Sequence, residues 1–219
     1  MDRKLAPVPG AAVESGVDFV LPLLPRALEL VAGRGHYERV IAAVLAAKRS
    51  VWIATANLKE LMVEAPVQMP GRRRDYRSVL ELLAGLADRG VELRILHASL
   101  PSRAFREEFD RHRILVRGGL ELRMCPRVHL KTVIVDAELL YLGSANWTGA
   151  GLGAKGEGRR NFELGIVSND EQLLDQVQSM YEAIWRGKPC AECKLRQECE
   201  APLCDADAAR KPVAAAVPS

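Results

Sequence analysis

The chain has 219 residues, of which 48% are apolar and 27% are charged, and it carries a net charge of +3. This length allows one domain with a sizeable core and short appendages, and the composition excludes wholesale disorder. No apolar run approaches the roughly 18 residues of a membrane span, and the first residues lack the apolar stretch of a secretory signal. We therefore expect a cytoplasmic protein. Its mildly basic charge is compatible with a phosphate-bearing partner but is too weak to indicate nucleic acid alone.

The first part of the chain alternates strand and helix patterns. Residues 1–25 are punctuated by proline and glycine and are interpreted as an N-terminal extension. A strand is predicted over Ala27–Val31, a helix over His36–Lys48 and a fully apolar, central strand over Val51–Ala56. With the elements that follow, this alternation predicts an α/β fold with a mixed, mostly parallel central sheet flanked by helices.

A basic cluster interrupts the alternation at residues 71–77. Its arginines are interpreted either as a solvated charge run or as a substrate-contacting loop, and the candidates for contact are Arg72, Arg73 and Arg74. The pattern then predicts helices over Ser78–Arg89 and Phe105–Arg117. It predicts strands over Val91–His97 and Leu120–Met124.

The next stretch carries side chains that are suited to phosphate chemistry. The candidates are His129, Lys131, Asp136, Ser144 and Asn146. A strand is predicted over Val128–Asp136, which places His129 and Lys131 on one face. A neutral imidazole can attack phosphorus, while a lysine and the neutral donors of serine and asparagine stabilise charge on the phosphate oxygens.

Two features are predicted after these residues. Gly149–Gly158 is rich in glycine, which predicts a mobile loop that either closes over a substrate or is an idle surface loop. Asp170–Trp185 has helical periodicity, with Asn169 or Asp170 as its cap.

Four of the five cysteines lie close together near the end of the chain, at Cys190, Cys193, Cys199 and Cys204. In a cytosolic chain, this spacing favours a metal site, and the ligand set suits either structural zinc or an iron–sulfur cluster. Disulfides and idle thiols are the alternatives. The neighbouring Lys188, Lys194 and Arg196 are expected to lower the thiol pKa values. The predicted organisation is therefore a 26–187 domain, a 188–205 cysteine segment and a disordered 206–219 tail.

The spacing of the phosphate-chemistry residues resembles the signature of the phospholipase D superfamily. The string is His129-x-Lys131, Asp136 five residues later, and then Gly143-Ser144-Ala145-Asn146. Downstream, Asn161-Phe162-Glu163 matches the family's Asn-x-Glu segment on the next strand. The resemblance covers about residues 27–185 and implies the fold of one phospholipase D-type lobe.

The resemblance also implies a reaction. In this scheme one histidine attacks phosphorus to form a phosphohistidine, and a second histidine protonates the leaving oxygen and then activates water. Asp136 and Glu163 would orient the imidazoles, Asn161 would contact the substrate, and no metal or cofactor is needed for catalysis. Bilobal members carry two motifs in one chain, whereas this chain has one. A homodimer would supply the second His129.

Three function classes follow. A nuclease is the first, because compact single-motif members of the family include DNA- and RNA-cleaving enzymes. A phospholipase D or phosphatidyltransferase acting on phospholipids is the second, although it would want an apolar groove or an amphipathic membrane helix. A non-catalytic nucleic-acid-binding module is the third, and the complete set of catalytic side chains argues against it.

Overall fold

The computed structural model describes residues 26–64 and 75–206. The chain divides into two compact units, whose described parts are residues 26–64 with 75–178, and residues 179–206. This division falls inside the long helix near the end of the chain, and the predicted boundary after residue 187 stays a prediction. The N-terminal extension and the three candidate arginines Arg72, Arg73 and Arg74 lie outside the described residues.

The first unit is built on a β-sheet. Its strands in chain order are β1 (Glu29–Ala32), β2 (Ser50–Thr55), β3 (Met62–Glu64), β4 (Tyr76–Ser78), β5 (Glu92–His97), β6 (Glu121–Met124), β7 (Thr132–Val135), β8 (Leu139–Gly143) and β9 (Leu164–Ser168). Among the described residues, seven strands form one sheet in the order β1-β9-β8-β7-β2-β5-β6, while β3 and β4 pair separately.

The sheet confirms the predicted mixed α/β fold, but its strands are not mostly parallel. Only β2–β5 and β5–β6 pair in parallel. The other four pairings in the sheet are antiparallel, so the expectation of a mostly parallel sheet is corrected. β7 and β8 are antiparallel because a tight turn joins them, which leaves no length for a crossover helix.

Helices lie between the strands and after the last strand, β9. They are α1 (Arg34–His36), α2 (Ala42–Leu45), α3 (Val79–Asp88), α4 (Arg103–Arg111), α5 (Glu171–Trp185) and α6 (Leu203–Ala206). A π-helical segment, Tyr37–Ile41, joins α1 to α2. The predicted helix Phe105–Arg117 is interrupted, because His112 leaves the helical conformation and a separate turn follows at Leu115–Gly119.

Side-chain caps fix where two of the helices start. The Ser78 hydroxyl accepts the Leu80 N–H at the start of α3. The Asp170 carboxylate accepts the Leu173 N–H at 2.8 Å at the start of α5, which confirms Asp170 as the predicted cap. Each cap satisfies a backbone donor that the helix itself leaves without a partner.

The main core lies on one face of the sheet. Alternate strand residues such as Ile53, Val133 and Tyr141 are buried there together with apolar side chains of α2 and α3. Five of the six residues of β2 are buried, so both of its faces are covered and the prediction of a central strand is confirmed. The sheet is therefore a rigid base whose strand ends can hold side chains in fixed positions.

The second unit is a short, turn-rich segment. It contains two 3-10 turns, Lys188–Cys190 and Arg196–Glu198, followed by α6. Gly187 has φ of 69°, and a Cβ at this position would lie 2.2 Å from the Cys204 nitrogen. Glycine is therefore required for the chain to return this closely to its own start. Ala206 ends α6, and the rest of the predicted tail lies outside the described residues.

Candidate active site

The strand ends that carry the predicted site residues meet at one edge of the sheet. Ala54 pairs with Thr132, and Thr132 pairs with Leu142, in antiparallel register. In antiparallel neighbours, the end of one strand lies beside the start of the next. The end of β2, the start of β7, the end of β8 and the start of β9 are therefore adjacent. We call this the site edge.

His129 and Lys131 lie just before β7, which is shorter than the predicted Val128–Asp136 strand. The Lys131 Nζ is 3.2 Å from His129 Nδ1 and donates to the His129 carbonyl oxygen at 2.7 Å. His129 is exposed, so its imidazole is accessible. Burial lowers the pKa of Lys131, and the nearby Glu163 carboxylate acts in the opposite direction. This ammonium therefore lies close to both the imidazole and the carboxylate.

Glu163 joins the other predicted donors. Its Oε2 accepts the Ser144 hydroxyl, and its Oε1 accepts the Asn161 amide at 3.1 Å. The Ser144 Oγ in turn accepts the Leu164 N–H at 3.1 Å. Because both carboxylate oxygens are engaged, Glu163 holds serine and asparagine donors side by side. It does so from the residue directly before β9, not from within the strand.

Asn146 is held by two residues that the sequence analysis missed. Its Oδ1 accepts the Asn57 N–H at 3.1 Å and the Thr55 hydroxyl at 3.3 Å. Thr55 also accepts the Trp147 N–H at 2.9 Å. With its oxygen engaged in this way, Asn146 presents its amide NH₂ to an anion. The signal in the sequence was a threonine ending an apolar strand, followed two residues later by asparagine.

Asp136 lies at the opposite edge of the sheet. Its carboxylate accepts the backbone N–H groups of Lys48, Arg49 and Ser50 at 2.7–3.2 Å. Four residues of β7 separate it from Lys131, so the two Cα atoms are five residue steps apart, which is roughly 16 Å at the rise of a strand. Within one chain, Asp136 therefore does not orient His129. Its role is corrected to that of a clamp between the β7–β8 turn and the start of β2.

The glycine-rich segment is also different from its prediction. Gly151, Leu152 and Gly153 are buried. The Leu152 N–H donates to Thr148, and the Asn161 N–H donates to the Ala150 oxygen at 3.1 Å. These contacts hold the first half of the segment, whereas residues 155–158 are exposed. The glycines allow close packing instead, since a Cβ on Gly153 would lie 2.4 Å from the Gly33 oxygen.

The cysteine segment brings two of its four thiols together. Partial burial, Asp205 and Cys190 raise the pKa of the Cys204 thiol, and Arg196 acts against them without prevailing. The expectation that basic neighbours lower the thiol pKa is therefore wrong for Cys204. None of the four is in a disulfide. Across residues 26–64 and 75–206, no three histidine, cysteine or acidic side chains are grouped so that they could hold a metal ion.

Searches against known proteins bear on the fold and the family. Among solved structures, the chain is similar to NucT from Helicobacter pylori, with a TM-score of 0.51 and 15% identity, over 72% of this chain and 94% of that one. It is also similar to Nuc from Salmonella typhimurium, described as a phospholipase D family member, with a TM-score of 0.51 and 20% identity, over 73% and 95%. No curated protein sequence matches.

The family model described as "Cardiolipin synthase, PLD-like domain" matches residues 40–185, which is 146 of the 219 residues. No helix in the described ranges is long and apolar enough to cross a membrane. The matched region contains the residues gathered at the site edge, and its fold is that of a phospholipase D-type lobe. This chain therefore belongs to the phospholipase D superfamily.

Proposed function

We propose that the protein is a phospholipase D-type phosphodiesterase that hydrolyses nucleic acid in a homodimeric site. The observation that carries this proposal is the meeting of His129 and Lys131 with Ser144, Asn161 and Glu163 at the site edge. An accessible imidazole stands beside a cation and neutral donors, which is what attack on a phosphodiester requires. A cytoplasmic location and independence from any catalytic cofactor belong to the same proposal.

The proposed reaction proceeds in two steps. His129 attacks phosphorus, the P–O bond to the leaving alcohol breaks, and a second histidine gives its proton to that oxygen. Water then attacks the phosphohistidine, loses a proton to the second histidine and releases the phosphate from His129. Lys131 and Asn146 stabilise the charge on the nonbridging oxygens, and Ser144 joins them when its hydroxyl turns from Glu163 to the phosphate.

The second histidine comes from a second copy of the chain, because a two-fold axis brings His129 twice to one place. An apolar strip that runs from the site edge along β9 and β1 supports this proposal. It consists of Leu28, Leu30, Phe162 and Leu164, which are all exposed. Phe162 is fully exposed between the two site residues Asn161 and Glu163, and Leu30 is 72% exposed. Burial of this strip against its own copy would place the two site edges together.

We expect light scattering to give about twice the chain mass of 24.1 kDa. Mixed dimers of wild type and His129→Ala should lose most of their catalytic activity, because each site needs both imidazoles. Phe162→Asp should shift the protein towards monomer and lower activity per chain, since a charge would then be buried at the interface. Val116→Asp, at another exposed apolar residue, is the matched control. A fully active monomer would contradict the proposal.

Nucleic acid is favoured as the substrate because cations flank the site edge. Arg127, two residues before His129, is exposed, and so are Lys155 and Arg159 near Asn161. A polyanion needs such charges on both sides of the phosphate that is cleaved. The observation that favours phospholipid, the second candidate, is the exposed Phe162 beside the site, because an apolar rim suits a lipid surface.

We expect cleavage of single-stranded oligonucleotides at low salt, with binding that weakens steeply as salt rises. Changing Arg72, Arg73 and Arg74 to alanine should weaken binding. The triple change Arg103, Arg111 and Arg117 to alanine removes equal charge elsewhere and should weaken it less. Faster hydrolysis of phospholipid vesicles than of any DNA or RNA would give the lipid candidate first place. Tight binding without cleavage of any substrate would favour the non-catalytic module.

We also propose that the cysteine segment binds zinc or an iron–sulfur cluster. As placed here, the four cysteines do not fit a tetrahedral ion, so their thiols would have to come closer together to bind one. Anaerobically purified protein should contain one such centre, lost when these cysteines become serine but kept in Cys125→Ser. Metal-free protein with a mapped Cys190–Cys204 disulfide would reject the centre.

A further inference from the structure

Two fully buried polar side chains lie beneath the site edge. His36, at the end of α1, and Tyr141, in β8, are each 0% exposed. Their ring centroids are 5.6 Å apart and the rings meet edge to face at 78°. Both are close enough to Glu163 for its carboxylate charge to act on their pKa values. The proposed mechanism uses neither of them.

A pair of glycines places the Tyr141 ring. Gly143 and Gly165 are opposite each other in the sheet, at the end of β8 and the start of β9. A Cβ on Gly143 would lie 2.3 Å from the Tyr141 hydroxyl, and a Cβ on Gly165 would lie 2.3 Å from Tyr141 Cε2. The ring therefore lies across the glycine pair, and its hydroxyl lies beside Gly143, which directly precedes Ser144.

The polar atoms of the two buried side chains are complementary. His36 Nδ1 lies 3.2 Å from the Gly33 carbonyl oxygen, so Nδ1 carries the hydrogen and the neutral ring has an acceptor at Nε2. Burial lowers the pKa of His36, which keeps the ring neutral. Burial raises the pKa of Tyr141 to about 12, which keeps its hydroxyl a donor.

Neither of these atoms, His36 Nε2 or the Tyr141 hydroxyl, has a hydrogen-bond partner among the described residues. The Ala145 N–H lies near the hydroxyl and acts against the rise in the Tyr141 pKa, but it does not complete a hydrogen bond. A buried donor or acceptor without a partner is costly, so a donor and an acceptor on two rings in edge-to-face contact indicate a pair.

We propose that the Tyr141 hydroxyl donates to His36 Nε2, directly or through one water molecule, and that this buried pair positions Ser144 and Glu163 for the reaction. Both are positioning residues, since neither reaches the exposed imidazole of His129. The inference rests on the proposed phosphodiesterase function. The Tyr141–His36 hydrogen bond would connect β8 to α1, the helix that follows β1. It would support the phosphate-binding donors from within the core.

The test uses the full chain and bis(p-nitrophenyl) phosphate. Tyr141→Phe keeps the ring and removes the donor, and we expect kcat to fall about tenfold with KM within about twofold, the size of one neutral hydrogen bond. His36→Leu should lower kcat as much as Tyr141→Phe does. His36→Gln, which restores an acceptor, should recover most of the wild-type kcat. The double variant Tyr141→Phe, His36→Leu should be no worse than either single change. Tyr37→Phe removes a hydroxyl that accepts the Glu64 N–H and should leave kcat unchanged.

Nuclear magnetic resonance separates this inference from the proposed function. In wild type, the ¹⁵N shifts of His36 should show the Nδ1–H form, and Tyr141→Phe should move both the His36 Nε2 and the Glu163 carboxyl ¹³C shifts. If wild type cleaves no diester but these shifts move, the proposed function fails and the pair stands. If they do not move, or if an active Tyr141→Phe keeps full kcat, the pair is overturned.

Discussion

Replacing His129 with alanine is expected to lower turnover by on the order of 10⁴-fold or more, the scale seen when a nucleophile is removed. The imidazole is exposed and contacts Lys131, not the core, so the fold should be unaffected. Thermal unfolding should therefore match that of wild type. The measurement is single-turnover cleavage of an oligonucleotide, with trapping of the phosphohistidine in wild type only.

His112→Ala is the matched control, because His112 contacts Glu108 of α4 at 3.1 Å. It should keep full activity. The turnover of Lys131→Ala should lie between those of His129→Ala and His112→Ala. Loss of a charged donor should reduce transition-state stabilisation by on the order of 3 kcal/mol. Full activity in His129→Ala would remove the nucleophile from the proposal. Loss of activity on brief EDTA treatment of folded protein would remove the metal-free mechanism.

Asp136→Ala is expected to lower the free energy of unfolding by about 3 kcal/mol without changing turnover per folded molecule, since it would strip three backbone donors of a charged acceptor. Those donors are at the start of the central strand β2. Asp136 also has φ of 56°, where asparagine is tolerated and alanine is strained. Asp136→Asn should therefore lower the free energy of unfolding by less than Asp136→Ala does. Urea unfolding measures both, and Glu138→Ala, in the same turn, is the control.

The effect of Asp136 should also depend on pH. Burial raises the pKa of this carboxyl, but the N–H groups of Ser50, Lys48 and Arg49 outweigh it, and the folded-state pKa falls below the ordinary value of 3.8. Its stabilisation is thus fully present above that value and is lost as pH falls through the folded pKa. Wild type and Asp136→Asn should therefore converge in stability in acid. A constant difference down to acidic pH would contradict this.

The sequence predicted what depends on local pattern. The apolar run of β2 indicated a central strand because burial of both faces leaves no polar alternation. The spacing of His129 and Lys131 was enough to pair their side chains. The same spacing could not show that Asp136 would lie at the opposite edge of the sheet, because a motif records order along the chain and not the length of the strand between its members.

Longer-range geometry was beyond the sequence. His36 and Tyr141 are 105 positions apart, and nothing local indicates that their rings meet. The glycine content of residues 149–158 predicts mobility, since glycine is conformationally permissive. In the structure, Gly151 and Gly153 are needed because neighbouring backbone leaves no room for a Cβ. A glycine that makes a loop mobile and a glycine that allows close backbone packing cannot be told apart from the sequence.

The strand order has a consequence for the timing of synthesis. Within the sheet β1 pairs with β9, so its partner leaves the ribosome more than 130 residues after it. Until then the apolar side chains of β1 lack that partner, and the nascent chain is exposed to aggregation. Glu163, which holds Ser144 and Asn161, also arrives with β9. A stalled or truncated chain would thus present His129 and Lys131 without their carboxylate, and the proposed activity would arise only when the domain is complete.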